Sequence, residues 1–232
     1  MILNWKQPQL SIQTVDSYLK IKHKNFKYKI FLIDNGSKDG SYEKLKSCYK
    51  NNPKVKLLKN KTNIGFVPGF NKEIKKRLNY DYILISNNDI LVDPSFLDNL
   101  ISQSIQIKAD IAGPKIYFAP GYEFHKNRYT PKEIGKVIWF AGGTMDWKNI
   151  IGSNIGVDEV DHSQHDQIKT DIDFITGCCM LVKSDVFKKI GLFDHNYFMY
   201  MEDVDFCQRA KKSGFSLAYI PKSVIWHVNS GS

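Results

Sequence analysis

Short apolar runs alternate with longer stretches of helical periodicity through the first half of the chain. Residues 1–5 read as the end of a strand running into a loop. Leu10, Val15 and Leu19 then recur at helical spacing, with Ser and Thr near the start. Residues 28–33 form a buried strand, which ends in the polar, glycine-rich turn Asp34-Asn35-Gly36-Ser37-Lys38-Asp39-Gly40-Ser41. That turn opens a helix over 42–51, followed by a short strand at 55–58, a loop at 60–69 and a helix at 70–78. Residues 82–86 are another apolar strand, and it ends in Asn87-Asn88-Asp89. Pro94 opens a helix to residue 107, with Phe96, Leu97, Leu100 and Ile101 as its apolar stripe. This alternation predicts an α/β fold: a mainly parallel, Rossmann-like sheet with helices on both faces. Ligands of such sheets bind beyond the carboxyl ends of the strands, where the polar clusters after Ile33 and Ser86 both fall.

From Ile111 the pattern changes. Strand-like segments at 111–118, 137–140 and 174–182 alternate with glycine-rich and polar loops, which predicts a mixed extension of the same domain. Residues 162–171 are the most polar stretch and read as a mobile surface loop. No linker or internal repeat divides residues 1–232. Three carboxylates, Glu202, Asp203 and Asp205, stand at the mouth of a helix that Val204, Phe206 and Ala210 continue and Gly214 stops. The helix macrodipole favours acids there, so capping accounts for any one of them. They follow Tyr197-Phe198-Met199-Tyr200-Met201, which predicts an apolar wall beside them. A partly desolvated carboxylate has the proton affinity that a general base needs.

Composition narrows the class. The length of 232 residues suits one α/β domain or two small ones, and 42% hydrophobic residues support a core. No apolar run reaches the roughly 20 residues that cross a bilayer, and Asn4, Lys6, Gln7 and Pro8 break up any secretion signal. Cys48, Cys178, Cys179 and Cys207 make no C-x-x-C pair, so the expectation is reduced thiols in the cytoplasm. The net charge of +9 comes mainly from scattered lysines. It is compatible with a solvated surface, with phosphate-bearing ligands, or with peripheral contact at an anionic membrane face. No nucleic-acid recognition motif, dinucleotide fingerprint, P-loop or nucleophile elbow is present.

Taken singly, the polar clusters stay ambiguous. Asp34 can accept from a base or ribose, yet Asp-Asn-Gly equally suits an Asx turn. Asn87-Asn88-Asp89 can hold a hard divalent cation against a diphosphate, or simply turn the chain. His227 follows Val224-Ile225-Trp226 and is either structural or a second metal ligand for an Asp89 site.

Taken together, they resemble a family 2 glycosyltransferase of GT-A fold over nearly the whole chain. Leu3-Asn4-Trp5 is similar to the "NWN" after the family's first strand. Residues 33–41 resemble its nucleoside-holding "VDNGSTDGS", and residues 60–71 its "N-x-G-F-x-x-G-x-N" loop. Leu84-Ile85-Ser86-Asn87-Asn88-Asp89 resembles the "LLNNDT" form of the metal-binding D-x-D. Residues 174–182 resemble the "G-A-x-M-L-x-R" acceptor-side segment, and residues 193–206 resemble "G-x-F-D-E-x-F-F-x-Y-x-E-D-x-D-L". The subgroup resembled is that of rhamnosyltransferases of bacterial surface polysaccharide synthesis.

The resemblance implies roles for individual residues. Residues 1–110 become a nucleotide-binding half and 111–232 an acceptor-binding half. Asn4, Asp34, Asn35, Ser37, Asn63, Gly65, Asn71 and Asn88 would contact the nucleotide. Asp89, Asn87 and His227 would hold Mn2+ or Mg2+. Gly177, Glu202 and Trp5 would line the sugars, and Asp203 would be the general base of an inverting displacement. The implied donor is dTDP-rhamnose first and a UDP-hexose second; the implied acceptor is a glycan or lipid-linked glycan. Three departures stand out: a first strand nearly missing before Asn4, an end soon after His227, and Asn87 in place of a carboxylate. They leave a catalytically inactive sugar-nucleotide or glycan-binding module as the alternative. A basic polyanion-binding domain is a third reading, which the carboxylate clusters oppose.

Overall fold

A computed structural model describes residues 1–125, 127–197 and 200–228. The first half of the chain alternates as the periodicity predicts: β1 (Ile2–Asn4), α1 (Pro8–Leu19), β2 (Ile30–Asp34), α2 (Ser41–Tyr49), β3 (Val55–Lys59), α3 (Phe66–Ile74) and β4 (Tyr82–Ser86). Then come β5 (Ile90–Val92), α4 (Phe96–Gln106), β6 (Ile111–Phe118), β7 (Ile138–Phe140), β8 (Gly143–Asp146) and β9 (Ile151–Asn154). The chain closes with β10 (Cys179–Lys183), α5 (Ser184–Ile190), α6 (Glu202–Lys212) and β11 (Leu217–His227).

The main sheet runs β3-β2-β1-β4-β10-β6-β11-β5, with β7 on β6, and β8-β9 form a separate ribbon. The three-residue β1 lies inside the sheet, parallel to both β2 and β4. Strand order reverses at β1/β4, the switch point where α/β sheets open a crevice. β10 runs antiparallel between β4 and β6 and joins the two halves. β11 runs parallel to β6, and its register slips between Ile220 and Val224, around Pro221, which has no N–H to give the ladder. One contiguous apolar core, including Leu32, Ile85, Ile111 and Phe206, spans both halves. No helix among the described residues is long and apolar enough to cross a membrane.

Five expectations are corrected. Helix α3 begins at Phe66, four residues before the predicted start. Pro68 sits in its first turn, where no intrahelical acceptor is lost, and Gly69 lets the helix approach Leu3 of β1, whose Cδ1 a Cβ would meet at 3.0 Å. The strand predicted at 174–182 is only Cys179–Lys183, because residues 172–177 instead follow α6. The three-residue β5 (Ile90-Leu91-Val92) stands after the polar turn at 87–89, where no strand was predicted, and the glycine-rich β8-β9 ribbon was read as loop. Residues 162–171 are irregular but tied down. Buried Lys115 bonds Asp161 at 2.7 Å and Asp166 at 2.5 Å, Tyr219 Oη donates to the His165 carbonyl, and Lys169 Nζ donates to the Ala141 carbonyl. Lys115 is a cation inside a strand, and such an ion can be buried only when paired.

Candidate functional site

Parallel strands β1, β2, β4 and β11 all end on one edge of the sheet. That edge therefore collects Asn4, Asp34, Asn87 and His227, while antiparallel β10 starts there, just after Gly177.

At the β1/β2 end the polar side chains form a buried network. Asn4 Nδ2 donates to Asp34 Oδ1 at 2.8 Å, and Ser11 Oγ donates to Asn4 Oδ1 at 2.8 Å. The Ser37 N–H donates to Asp34 Oδ2 at 3.1 Å, while Ser37 Oγ accepts the Lys6 N–H. Asn35 bridges to the next loop, donating to Asn63 Oδ1 and the Gly65 carbonyl and accepting from Asn60. So Asp34 and Asn35 shape the turn they sit in, and the Asx geometry is part of the site. Gly36 has φ +75°, and a Cβ there would collide with the Thr62 backbone. Gly36→Ala is expected to displace the 60–65 loop at about 1–3 kcal/mol, read as a lower thermal midpoint and weaker nucleoside diphosphate binding. Trp5 is about half exposed beyond β1, with the Lys6 ammonium 4.9 Å over its ring.

At the β4/β11 end, Asp89 and His227 are both buried. His227 Nε2 lies 3.3 Å from Asp89 Oδ1, yet neither Asp89 Oδ1 nor His227 Nδ1 has a hydrogen-bond partner. The Val228 N–H donates to the Asp89 carbonyl at 2.8 Å, and the Trp139 ring stands edge-on to the imidazole at 4.7 Å. Two adjacent ligands of an octahedral ion bound at about 2.1 Å stand about 3.0 Å apart, close to the separation here. A carboxylate whose buried oxygen is orphaned, beside an imidazole, fits a divalent cation such as Mn2+ or Mg2+. Among the described residues no group of three or more His, Cys, Asp and Glu could hold a metal. Diphosphate oxygens and water would therefore complete the shell, as they usually do for Mg2+. Asn87, half-buried, is fixed by its N–H to the Cys178 carbonyl at 2.9 Å.

Across Cys178 lies α6. The Gly177 N–H donates to Asp203 Oδ2 at 2.8 Å and the Val204 N–H to Asp203 Oδ1 at 2.9 Å. Burial pushes the Asp203 carboxyl above the ordinary range, and these N–H groups pull part of the way back. Burial, then the negative charge of Asp203, pushes the neighbouring Glu202 up to about 7, and Glu202 Oε2 has no partner. The chain enters α6 under backbone strain, with Tyr200 at φ 69° and Met201 at φ 68°. Asp205 is committed to Arg209 at 2.8 Å.

Folding holds the Glu202 proton that the unfolded chain releases above its ordinary value of 4.5. Its stabilising effect is complete below that value and is lost as pH rises through about 7. Glu202→Gln, with nothing to ionise, is expected to gain about 1–2 kcal/mol on wild type between about pH 5 and about pH 8. Denaturant melts at the two pH values check this.

Three placements differ from the sequence-based expectation. Both ends of the Asn71 amide are spent on the Phe193 backbone, at 2.7 and 3.2 Å, which ties α3 to the segment before α6. Asn88 turns toward α1, donating to Ser11 Oγ at 3.2 Å and Gln7 Oε1 at 3.3 Å. The apolar wall is also different: Tyr200 is 71% exposed, and Phe198 and Met199 lie outside the described residues. Cys178 and Cys207 are both buried, and the Asp203 charge adds to the burial that pushes their thiols up. Ser11 and Thr14 were read only as residues near a helix start. Thr14 Oγ1 donates to the carbonyls of Asn88 and Ile90, and accepts the Ile90 N–H, so α1 fixes the Asp89 turn from both sides. Two hydroxyls on the same face of α1 as Val15 and Tyr18 were the available signal.

Solved structures share this architecture. The structure of GalNAc-T7 with UDP, GalNAc and Mn2+ superposes with a TM-score of 0.75 at 17% identity, covering 97% of this chain and 42% of that one. The mannosyltransferase PcManGT from Pyrobaculum calidifontis, in complex with GDP-Man and Mn2+, gives 0.66 at 12% identity, covering 99% and 56%. The fold is that of the GT-A glycosyltransferases. Residues 8–191 match the family model described as glycosyl transferase family 2, and the chain belongs to that family. It is 27% identical over 209 residues to the N-acetylglucosaminyl-diphospho-decaprenol L-rhamnosyltransferase of Mycobacterium tuberculosis, covering 85% of this chain and 66% of the relative. It is 42% identical over 52 residues to rhamnosyltransferase WbbL of Escherichia coli K12, covering 22% of this chain and 20% of the relative.

Proposed function

We propose that this chain transfers a sugar, with inversion, from a nucleotide-sugar donor to a hydroxyl of a lipid-linked glycan. Rhamnose on a thymidine diphosphate is the first donor to test and a uridine-diphosphate hexose the second. The observation that carries the reading is the convergence at one sheet edge of the unpartnered Asp89–His227 pair and the desolvated Asp203, with Cys178 between them. The mycobacterial relative's name supports both a rhamnosyl donor and a diphospholipid-linked acceptor.

The nucleoside lies against Asn4, Asp34, Ser37 and the 63–65 loop, and Asp89 with His227 holds a divalent cation at the diphosphate. Mn2+ is named with both GT-A structures. Once bound, such an ion offsets the charge that grows on the departing diphosphate. Asp203 takes the proton of the acceptor hydroxyl. The hydroxyl oxygen forms the new bond to the anomeric carbon as that carbon's bond to the phosphate oxygen breaks, and the electron pair leaves with the nucleoside diphosphate. The two backbone N–H bonds hold Asp203 in place for this role. Glu202, whose carboxyl is pushed up to about 7, faces the sugars and donates in its protonated form.

Calorimetry with thymidine and uridine diphosphates, each with Mn2+ and after chelation, tests the reading. Metal-dependent binding of one of them supports it. Wild type that binds neither under either condition overturns it.

A further inference from the structure

Residues 119–125, which leave the end of β6, and residues 127–136, which return to β7, form a lobe on the same sheet edge as His227. Two bonds bolt it to β11. The Ala119 N–H donates to the His227 carbonyl at 2.8 Å, and the Trp226 indole N–H donates to the Gly135 carbonyl at 2.9 Å. Within the lobe, the buried Glu123 carboxylate accepts the N–H groups of Gly121 at 2.8 Å and Gly135 at 2.9 Å, so it clasps both ends. Gly135 has φ +77°, and a Cβ there would press on Pro120 at 3.0 Å, so this clasp is built on glycine.

A segment held this firmly still presents Tyr122 and Phe124 to solvent, 45% and 60% exposed. Phe124 rests one edge on Phe118, with the ring centroids 5.0 Å apart. Beside it, His125, Asn127 and Arg128 line an open cavity of about 630 Å³. Asp158 orients both basic groups, at 3.5 Å from His125 and 2.7 Å from Arg128. That contact uses one of the five N–H donors of a guanidinium. An exposed aromatic pair offers π-faces to the apolar side of a pyranose ring, and a guanidinium fork matches phosphate oxygens. The lobe is also placed for the acceptor: β6 and β11 lie on the far side of β4 and β10 from the β1/β2 nucleotide network.

We infer that this lobe is the acceptor platform: Tyr122 and Phe124 stack the acceptor sugar, and Arg128 with His125 takes the diphosphate joining it to its lipid. This rests on the proposed transferase function and adds the surface and the side chains that tell a diphosphate-linked acceptor from a neutral glycoside.

The test uses N-acetylglucosaminyl diphosphate on a short prenyl chain, titrated calorimetrically into the full chain with nucleoside diphosphate and Mn2+ present. A neutral prenyl N-acetylglucosaminide serves as the second probe. Phe124→Ala is expected to bind the diphosphate probe about tenfold more weakly, and Phe124→Trp to retain it. Arg128→Ala is expected to lose the preference for the diphosphate probe over the neutral one. All three variants should keep the wild-type thermal midpoint and nucleoside diphosphate affinity, which separates a lipid diphosphate at the lobe from the nucleotide's own. The inference is overturned if wild type binds nucleotide but neither probe, or if Phe124→Ala and Arg128→Ala bind both probes like wild type. Wild type that fails to bind nucleotide overturns the proposed function, and this inference with it.

Discussion

Asp203→Asn is expected to lower sugar transfer by about 10² to 10⁴, the usual contribution of a positioned base, while nucleoside diphosphate affinity stays at the wild-type level. The substitution keeps the shape and removes the proton acceptor. It has a second, independent readout. The Asp203 charge is one of the two causes that hold Glu202 up to about 7, so its removal should lower the Glu202 titration. In wild type the two carboxyls titrate as a pair, and kcat/KM should rise with pH on a limb above the ordinary carboxylate range, because the base acts ionised and burial raises its affinity for the proton. Steady-state rates across pH, with a 13C-labelled glutamate signal, check both effects. Full activity in Asp203→Asn would move the base to Glu202, the carboxylate with an unpartnered oxygen.

The second large effect falls on the donor. Asp89→Ala is expected to weaken Mn2+-dependent nucleoside diphosphate binding on the order of 10²-fold, since a bound cation contributes several kcal/mol against phosphate charge. Chelation of wild type should reach the same residual affinity, and chelating the variant should change nothing more. His227→Ala should lose a smaller share, because the carboxylate keeps the charge. Were Asp89→Ala to bind as tightly as wild type with the metal still required, the ion would be held elsewhere, and the orphaned oxygen would need another partner. The buried environment makes that outcome informative: Asp89 Oδ1 gains no hydrogen bond within the protein.

Local chemistry made the first half of the chain readable. Short apolar runs ended in polar turns and helical periodicity followed, so β2, β3, β4, α1, α2 and α4 lie within a few residues of the pattern. The harder features depend on distant partners. Nothing near Asn71 announces that its amide will meet the Phe193 backbone 122 positions on. The start of α3 was concealed by Pro68-Gly69, which read as punctuation and instead act as an opening turn and a close contact with β1. The Asp89–His227 pair stayed ambiguous in the residues alone, and the family resemblance favoured it. A histidine after a strand has no private signal until β11 is seen to lie antiparallel to β5, which sets His227 against Ile90, next to Asp89. Asp203 was legible as a carboxylate at a helix mouth, with Cys207 one turn further along the same helix, but nothing local announces that the Gly177 N–H, 26 positions earlier, will hold it.

The antiparallel strand between the two halves bears on how the chain is made. Ser86 ends β4, and its ladder partner Cys179 is synthesised about 90 residues later. At about 5–20 residues per second, a nascent chain carries the Ile83 and Ile85 edge unpaired for roughly 5–20 s. During that interval the edge can template pairing with any other extended segment. The first half therefore cannot close its own sheet as it emerges. Chaperone demand during synthesis should concentrate there, before residues 179–183 arrive to seal it.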